Sequence, residues 1–123
     1  MALQISIRES GDITILDLQG RATINDGESN LLKIKLDELI ANGVPRLLLN
    51  LADLTRVDSS GFSVIVRVCA AIRDQGGDVR FIRPRGPALM AFNVLRLLDV
   101  IPTFDNEADA LASFRPKGFA ANP

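Results

Sequence analysis

Hydrophobic and polar positions alternate at the start of the chain. Leu3, Ile5 and Ile7 are separated by Gln4, Ser6 and Arg8, the period of two of a strand with one buried face. Ser10-Gly11-Asp12 is turn chemistry, and Ile13 to Leu18 reads as a second strand, so residues 3–18 predict a hairpin that ends at Gly20. Asn25 and Glu28 have the spacing of a helix-starting capping pair. Leu32, Leu36, Leu39 and Ile40 then recur at helical spacing, Lys33 and Asp37 fall on the wet side, and Asn42-Gly43 stops the helix.

Leu47-Leu48-Leu49-Asn50-Leu51 is an almost unbroken apolar run. Between helical segments such a run predicts a strand covered on both faces. A loop over Ala52–Val57 leads to Asp58-Ser59-Ser60-Gly61, and a helix follows with Phe62, Ile65, Val66, Cys69 and Ile72 on its inner stripe. Gln75-Gly76-Gly77-Asp78 ends it, and Val79 to Arg83 is the next strand. Pro84 to Pro87 forms a loop, with Pro87 in the first turn of a helix running to about Leu98. Ile101 to Phe104 reads as a short strand, and Asn106 as the cap of a last helix bearing Leu111 and Phe114. Strands alternating with helices predict an α/β fold: a mixed, mostly parallel sheet with an N-terminal antiparallel hairpin and about four helices. The domain is expected over residues 1–115, with a flexible tail at 116–123.

Composition narrows the function. The chain has 123 residues, 47% of them hydrophobic, so one domain can build its own core without metals or disulfides. A net charge of −1 gives no electrostatic reason to expect nucleic acid or an anionic membrane as partner. The six aromatic residues are all Phe, which leaves few stacking platforms for bases. The absence of His removes the commonest general base and zinc ligand, so neither a catalytic site nor a metal nor a cofactor is expected. A lone cysteine, Cys69, sits in an apolar stripe and reads as an inert core residue suited to a reducing compartment. The opening MALQISIRES lacks a basic start and apolar signal region, and no apolar stretch reaches bilayer length, so a cytoplasmic protein is expected.

Two further clusters bear on possible contacts. Arg80, Arg83 and Arg85 lie around one strand end. They read as a solvated rim, with contact to an acidic partner as the alternative. The segment Ala88–Leu98 has almost no wet face, which points either to an apolar contact through Leu89 and Phe92 with a partner or a second copy of the chain in a homodimer, or equally to a helix more enclosed than usual.

Asp58-Ser59-Ser60-Gly61 is where chemistry concentrates. Small polar residues at a helix start can satisfy N–H groups that lack intrahelical partners, and the local dipole favours negative charge. Asp and Ser are also the ordinary residues of a plain helix cap. A phosphate on a serine there would add about −1.5 to −2 charges at pH 7. Ser59 or Ser60 as a hydrolase nucleophile lacks both a G-x-S-x-G elbow and a histidine base.

The segment LLLNLADLTRVDSSGFSVIVRVCAAIRDQGGDVRFIRP resembles the central part of a STAS domain, the domain of bacterial anti-sigma factor antagonists, and the likeness extends from Leu3 to about Phe114. By this resemblance Ser60 is the position phosphorylated by a serine kinase. Asp58, Ser59, Gly61 and Phe62 shape the acceptor turn and partner surface, with Arg21 and Thr23 beside it. The resemblance implies an anti-anti-sigma factor, a regulator of transcription in a stress response. Unphosphorylated, it binds an anti-sigma factor that is itself the kinase and so frees a sigma factor; a serine phosphatase resets the switch. The chain departs from many such antagonists in one respect: Gly20 is followed by Arg21-Ala22-Thr23-Ile24, and acid comes only at Asp26 and Glu28. The alternative use of the same domain is a non-switching accessory subunit of a transporter or signalling complex.

Overall fold

A five-stranded sheet in the order β1-β2-β3-β4-β5 organises the protein. The computed structural model describes residues 3–22, 28–94 and 96–114. The strands are β1 Leu3–Ser10, β2 Ile13–Ala22, β3 Arg46–Val57, β4 Asp78–Ile82 and β5 Thr103–Phe104. The helices are α1 Glu28–Ala41, α2 Ser59–Asp74, α3 Gly86–Val94 and α4 Glu107–Ser113, with a short 3₁₀ turn at Leu97–Asp99. β1 and β2 form the antiparallel hairpin, and every later neighbour is parallel. The predicted α/β architecture is therefore the observed one. Asn25 and the segment 115–123 lie outside the described residues, and with them one half of the expected Asn25–Glu28 capping pair and the expected tail.

Alternation along β3 divides the core. Leu47, Leu49 and Leu51 join residues of α1, α2 and α3 in the larger cluster. Leu48 points the other way and meets Ile15, Ile82, Ala110 and Phe114 beneath α4. The central strand is thus apolar on consecutive positions because it is buried on both faces. Cys69 is enclosed in the larger cluster, and burial pushes its thiol up to about 12.

Four expectations need correction. β2 continues past Gly20 to Ala22, and β3 continues through the segment expected to be a loop, up to Val57. Irregular register carries both strands onward: Asp17 pairs with Asn50 but Gln19 with Asp53, and Gly20 pairs with Leu54 but Arg21 with Arg56. β3 has an extra residue at each place, so it bulges twice, and Gly20 takes a positive φ of 99° that suits glycine. In α2 the buried stripe includes Val64 and Val68, whereas Val66 faces out at 38% exposure. α3 stops at Val94 instead of reaching Leu98, because Arg96 turns into the left-handed region at φ 58°.

The arginines expected to form one cluster separate. Arg80 donates to Ser113 Oγ at 3.1 Å and lies 4.9 Å over the Phe114 ring, which ties α4 to the sheet. Arg83 approaches Asp105 at 4.0 Å on the surface. Arg85 turns to β3 and donates to Ala52 O through Nε at 3.1 Å and Nη2 at 3.0 Å.

Candidate functional site: the β3–α2 turn

β3 delivers the chain at Val57 to the start of α2. Asp58 is the N-cap, with extended backbone (φ −96°, ψ −176°), and its carboxylate accepts from Gly61 N at 3.0 Å. Phe62 N donates to Asp58 O at 2.9 Å, closing the first turn. These bonds satisfy donors that a helix start leaves open. Gly61 and Phe62 are buried, which anchors the turn to the core.

The same Asp58 carboxylate oxygen also accepts from the Ser60 hydroxyl at 2.5 Å. Ser60 is half-buried and its proton is directed at a carboxylate; Ser59, one residue earlier, is exposed. The two serines of the turn are therefore unequal. Ser59 is a surface residue, while Ser60 has an oriented hydroxyl whose lone pairs remain for another bond.

Beside the turn lies a shallow apolar cleft of about 330 Å³ lined by Val57, Asp58, Ser59, Phe62, Met90, Ala91 and Val94. Met90 is 68% exposed and Val94 76%, the two most exposed large apolar side chains among the described residues. Phe62 packs edge-on against Phe92, ring centroids 5.2 Å apart, so α3 is fixed next to the turn. Phe92 itself is 0% exposed. It is a core residue and cannot meet a partner, which corrects its expected role; Leu89 is half-buried. The outward face of α3 runs through Met90 and Val94, an i, i+4 pair on the side of the helix away from Phe92.

Asp58, Ser59, Ser60, Gly61 and Phe62 are brought together as one turn. Arg21 is exposed near the end of β2 and pairs in register with Arg56, two residues before Asp58. Thr23 lies outside the described residues. Among the described residues no group of three or more His, Cys, Asp or Glu could hold a metal ion, and no helix is long and apolar enough to cross a membrane.

Residues 4–110 match the STAS domain family, and the chain belongs to that family. Its relatives include the anti-sigma F factor antagonist of Paenibacillus polymyxa, 28% identical over 112 residues that cover 90% of this chain and 94% of that one. The fold resembles an anti-sigma factor antagonist from Mycobacterium paratuberculosis, with a TM-score of 0.80 and 17% identity, covering 94% of this chain and 96% of that one. It also resembles the Bacillus cell fate determinant SpoIIAA in its phosphorylated form, with a TM-score of 0.71 and 17% identity, covering 93% of this chain and 100% of that one.

Proposed function

We propose that the protein is an anti-sigma factor antagonist controlled by phosphorylation of Ser60. The observation that carries this reading is the half-buried Ser60 hydroxyl, held by Asp58 at the start of α2 in a turn whose Asp58, Ser59 and Phe62 line an apolar cleft. Membership of the STAS family and likeness to an anti-sigma F factor antagonist support it. The unphosphorylated turn and cleft would dock an anti-sigma factor with serine kinase activity.

In the transfer step Ser60 Oγ attacks the terminal phosphorus of a nucleoside triphosphate. The Oγ–P bond forms, the bond to the nucleoside diphosphate breaks, and the hydroxyl proton is taken by a general base of the kinase. Asp58 already accepts that proton's hydrogen bond, so it keeps Oγ oriented for attack. The product has no hydroxyl proton to share and carries about −1.5 to −2 charges at pH 7. Asp58 repels it, and the phosphate turns outward, toward the surface a partner must cover. Desolvating that group weakens the complex without unfolding the domain, and a serine phosphatase would restore it.

Three forms of the chain, wild type, Ser60→Ala and Ser60→Asp, are expressed in their native cells and the bound partner is quantified after purification. Ser60→Ala should carry no phosphate on this turn and retain the partner. Ser60→Asp should lose at least about tenfold of it, equivalent to ~1.4 kcal/mol. Wild-type binding by both variants would contradict the switch.

A further inference from the structure

We infer that Asn50 and Arg85 are positioning residues that hold the end of β3, and with it the Asp58–Gly61 turn, through the bulge at Ala52. The inference rests on the reading of that turn as a phosphorylation site.

Ala52 is part of the first β3 bulge, where Leu51 and Ala52 together face the single β2 residue Leu18 between the pairs Asp17–Asn50 and Gln19–Asp53. An extra residue in a ladder leaves backbone groups without regular partners. Both polar groups of Ala52 are met by side chains. Its N–H donates to Asn50 Oδ1 at 3.2 Å. Its carbonyl accepts both contacts from the Arg85 guanidinium, at 3.0 and 3.1 Å.

Each clamp is anchored elsewhere. Asn50 Nδ2 donates to Asp17 Oδ1 at 2.7 Å, and Asp17 is in turn held by Arg8 at 2.6 and 2.9 Å. The Asn50 amide therefore has a fixed orientation. Arg85 immediately precedes α3 and also approaches Asp53 at 3.7 Å. A second bulge follows at Thr55, whose hydroxyl donates to Gly20 O at 2.9 Å. Two bulges in so short a stretch set the direction in which β3 enters the turn. Arg85 has a second consequence, since α3 supplies Met90, Ala91 and Val94, the opposite wall of the cleft from Val57 and Asp58. One guanidinium thus fixes the spacing of both walls.

Amide hydrogen exchange on the whole chain tests this without a kinase. Arg85→Ala and Asn50→Ala are compared with wild type and with Arg83→Ala, a change at a neighbouring surface arginine. Exchange at Gly61 N–H, which reports the Asp58 cap, should rise at least about fivefold in both test variants. Exchange at Leu48 should stay unchanged, as should all sites in Arg83→Ala, and Arg85→Lys should restore protection only in part because it lacks the planar fork. Accelerated exchange at Ala52 alone, with Gly61 unaltered, would overturn the inference. Uniform acceleration at Leu48 and Gly61 would also overturn it, since that reports lost global stability. Ser60 phosphate in cells is the separate readout: its absence from wild type removes the switch, while the exchange data still decide whether Asn50 and Arg85 position the turn.

Discussion

At the residue scale, Asp58 has two tasks on one oxygen: it caps α2 through Gly61 N and orients the Ser60 hydroxyl. Replacing it with alanine should therefore cost stability as an N-cap loss does, roughly 0.5–2 kcal/mol by denaturant unfolding. Ser60→Ala leaves that cap bond in place and should unfold within about 0.5 kcal/mol of wild type. A Ser60→Ala loss as large as that of Asp58→Ala would mean that the hydroxyl is a structural part of the cap. The sequence singled out this turn because Asp and Ser precede an apolar helix. The family resemblance pointed to Ser60, but cap chemistry alone did not separate the two serines, because their difference lies in where the Ser60 hydroxyl points. Phe92 was misplaced for a related reason: an apolar helix offers no polar face from which to read its phase, and the contact with Phe62 decides which side is covered.

At the scale of elements, α4 is held by a small core and by ion pairs reaching across the hairpin. Arg8 joins Asp17 at 2.6 Å and Glu107 at 2.7 Å, linking β1, β2 and the first turn of α4. Hydrogen bonds from Arg8 first, then from Asn50, hold the Asp17 carboxyl below its ordinary value against the opposing effect of burial. A depressed carboxyl pKa adds stability that is fully present above the unfolded value, about 3.9, and lost as pH falls through the folded value. Asp17→Asn should thus flatten the decline of unfolding free energy below about pH 4, checked by urea midpoints from pH 2 to 7. An unchanged acid slope would show that Asp17 is not coupled to folding. Helices and strands were legible here where apolar spacing was strong, as at Leu32, Leu36 and Leu39. The second half of β3 was not, because Ala52, Asp53, Thr55 and Arg56 break the apolar run and two bulges break its period.

For the whole molecule, the strand order and the two-sided core explain why the turn is rigid on one side and open on the other. β3 is the middle strand, buried by α1–α3 on one face and α4 on the other, and its C-terminal end carries the turn. A sheet of this kind presents its sites at the carboxyl ends of its parallel strands. α3 forms the second wall there, and Met90 and Val94 remain exposed across the cleft from Asp58 and Ser59. The alternation of strands and helices made this architecture readable from the sequence. The cleft was not readable, because Val57, Met90, Ala91 and Val94 come from two separated segments and meet only through the packing of Phe62 and Phe92.

The central claim is that Ser60 is a regulated phosphorylation site. The most direct measurement is the intact mass of the native protein, with fragmentation across residues 52–73, from cells in growth and under stress. The account predicts one phosphate on Ser60, none on Ser59, and an occupancy that changes between the two conditions. An unphosphorylated protein in both, held in a stable complex, would contradict it and favour the accessory-subunit reading of the same domain.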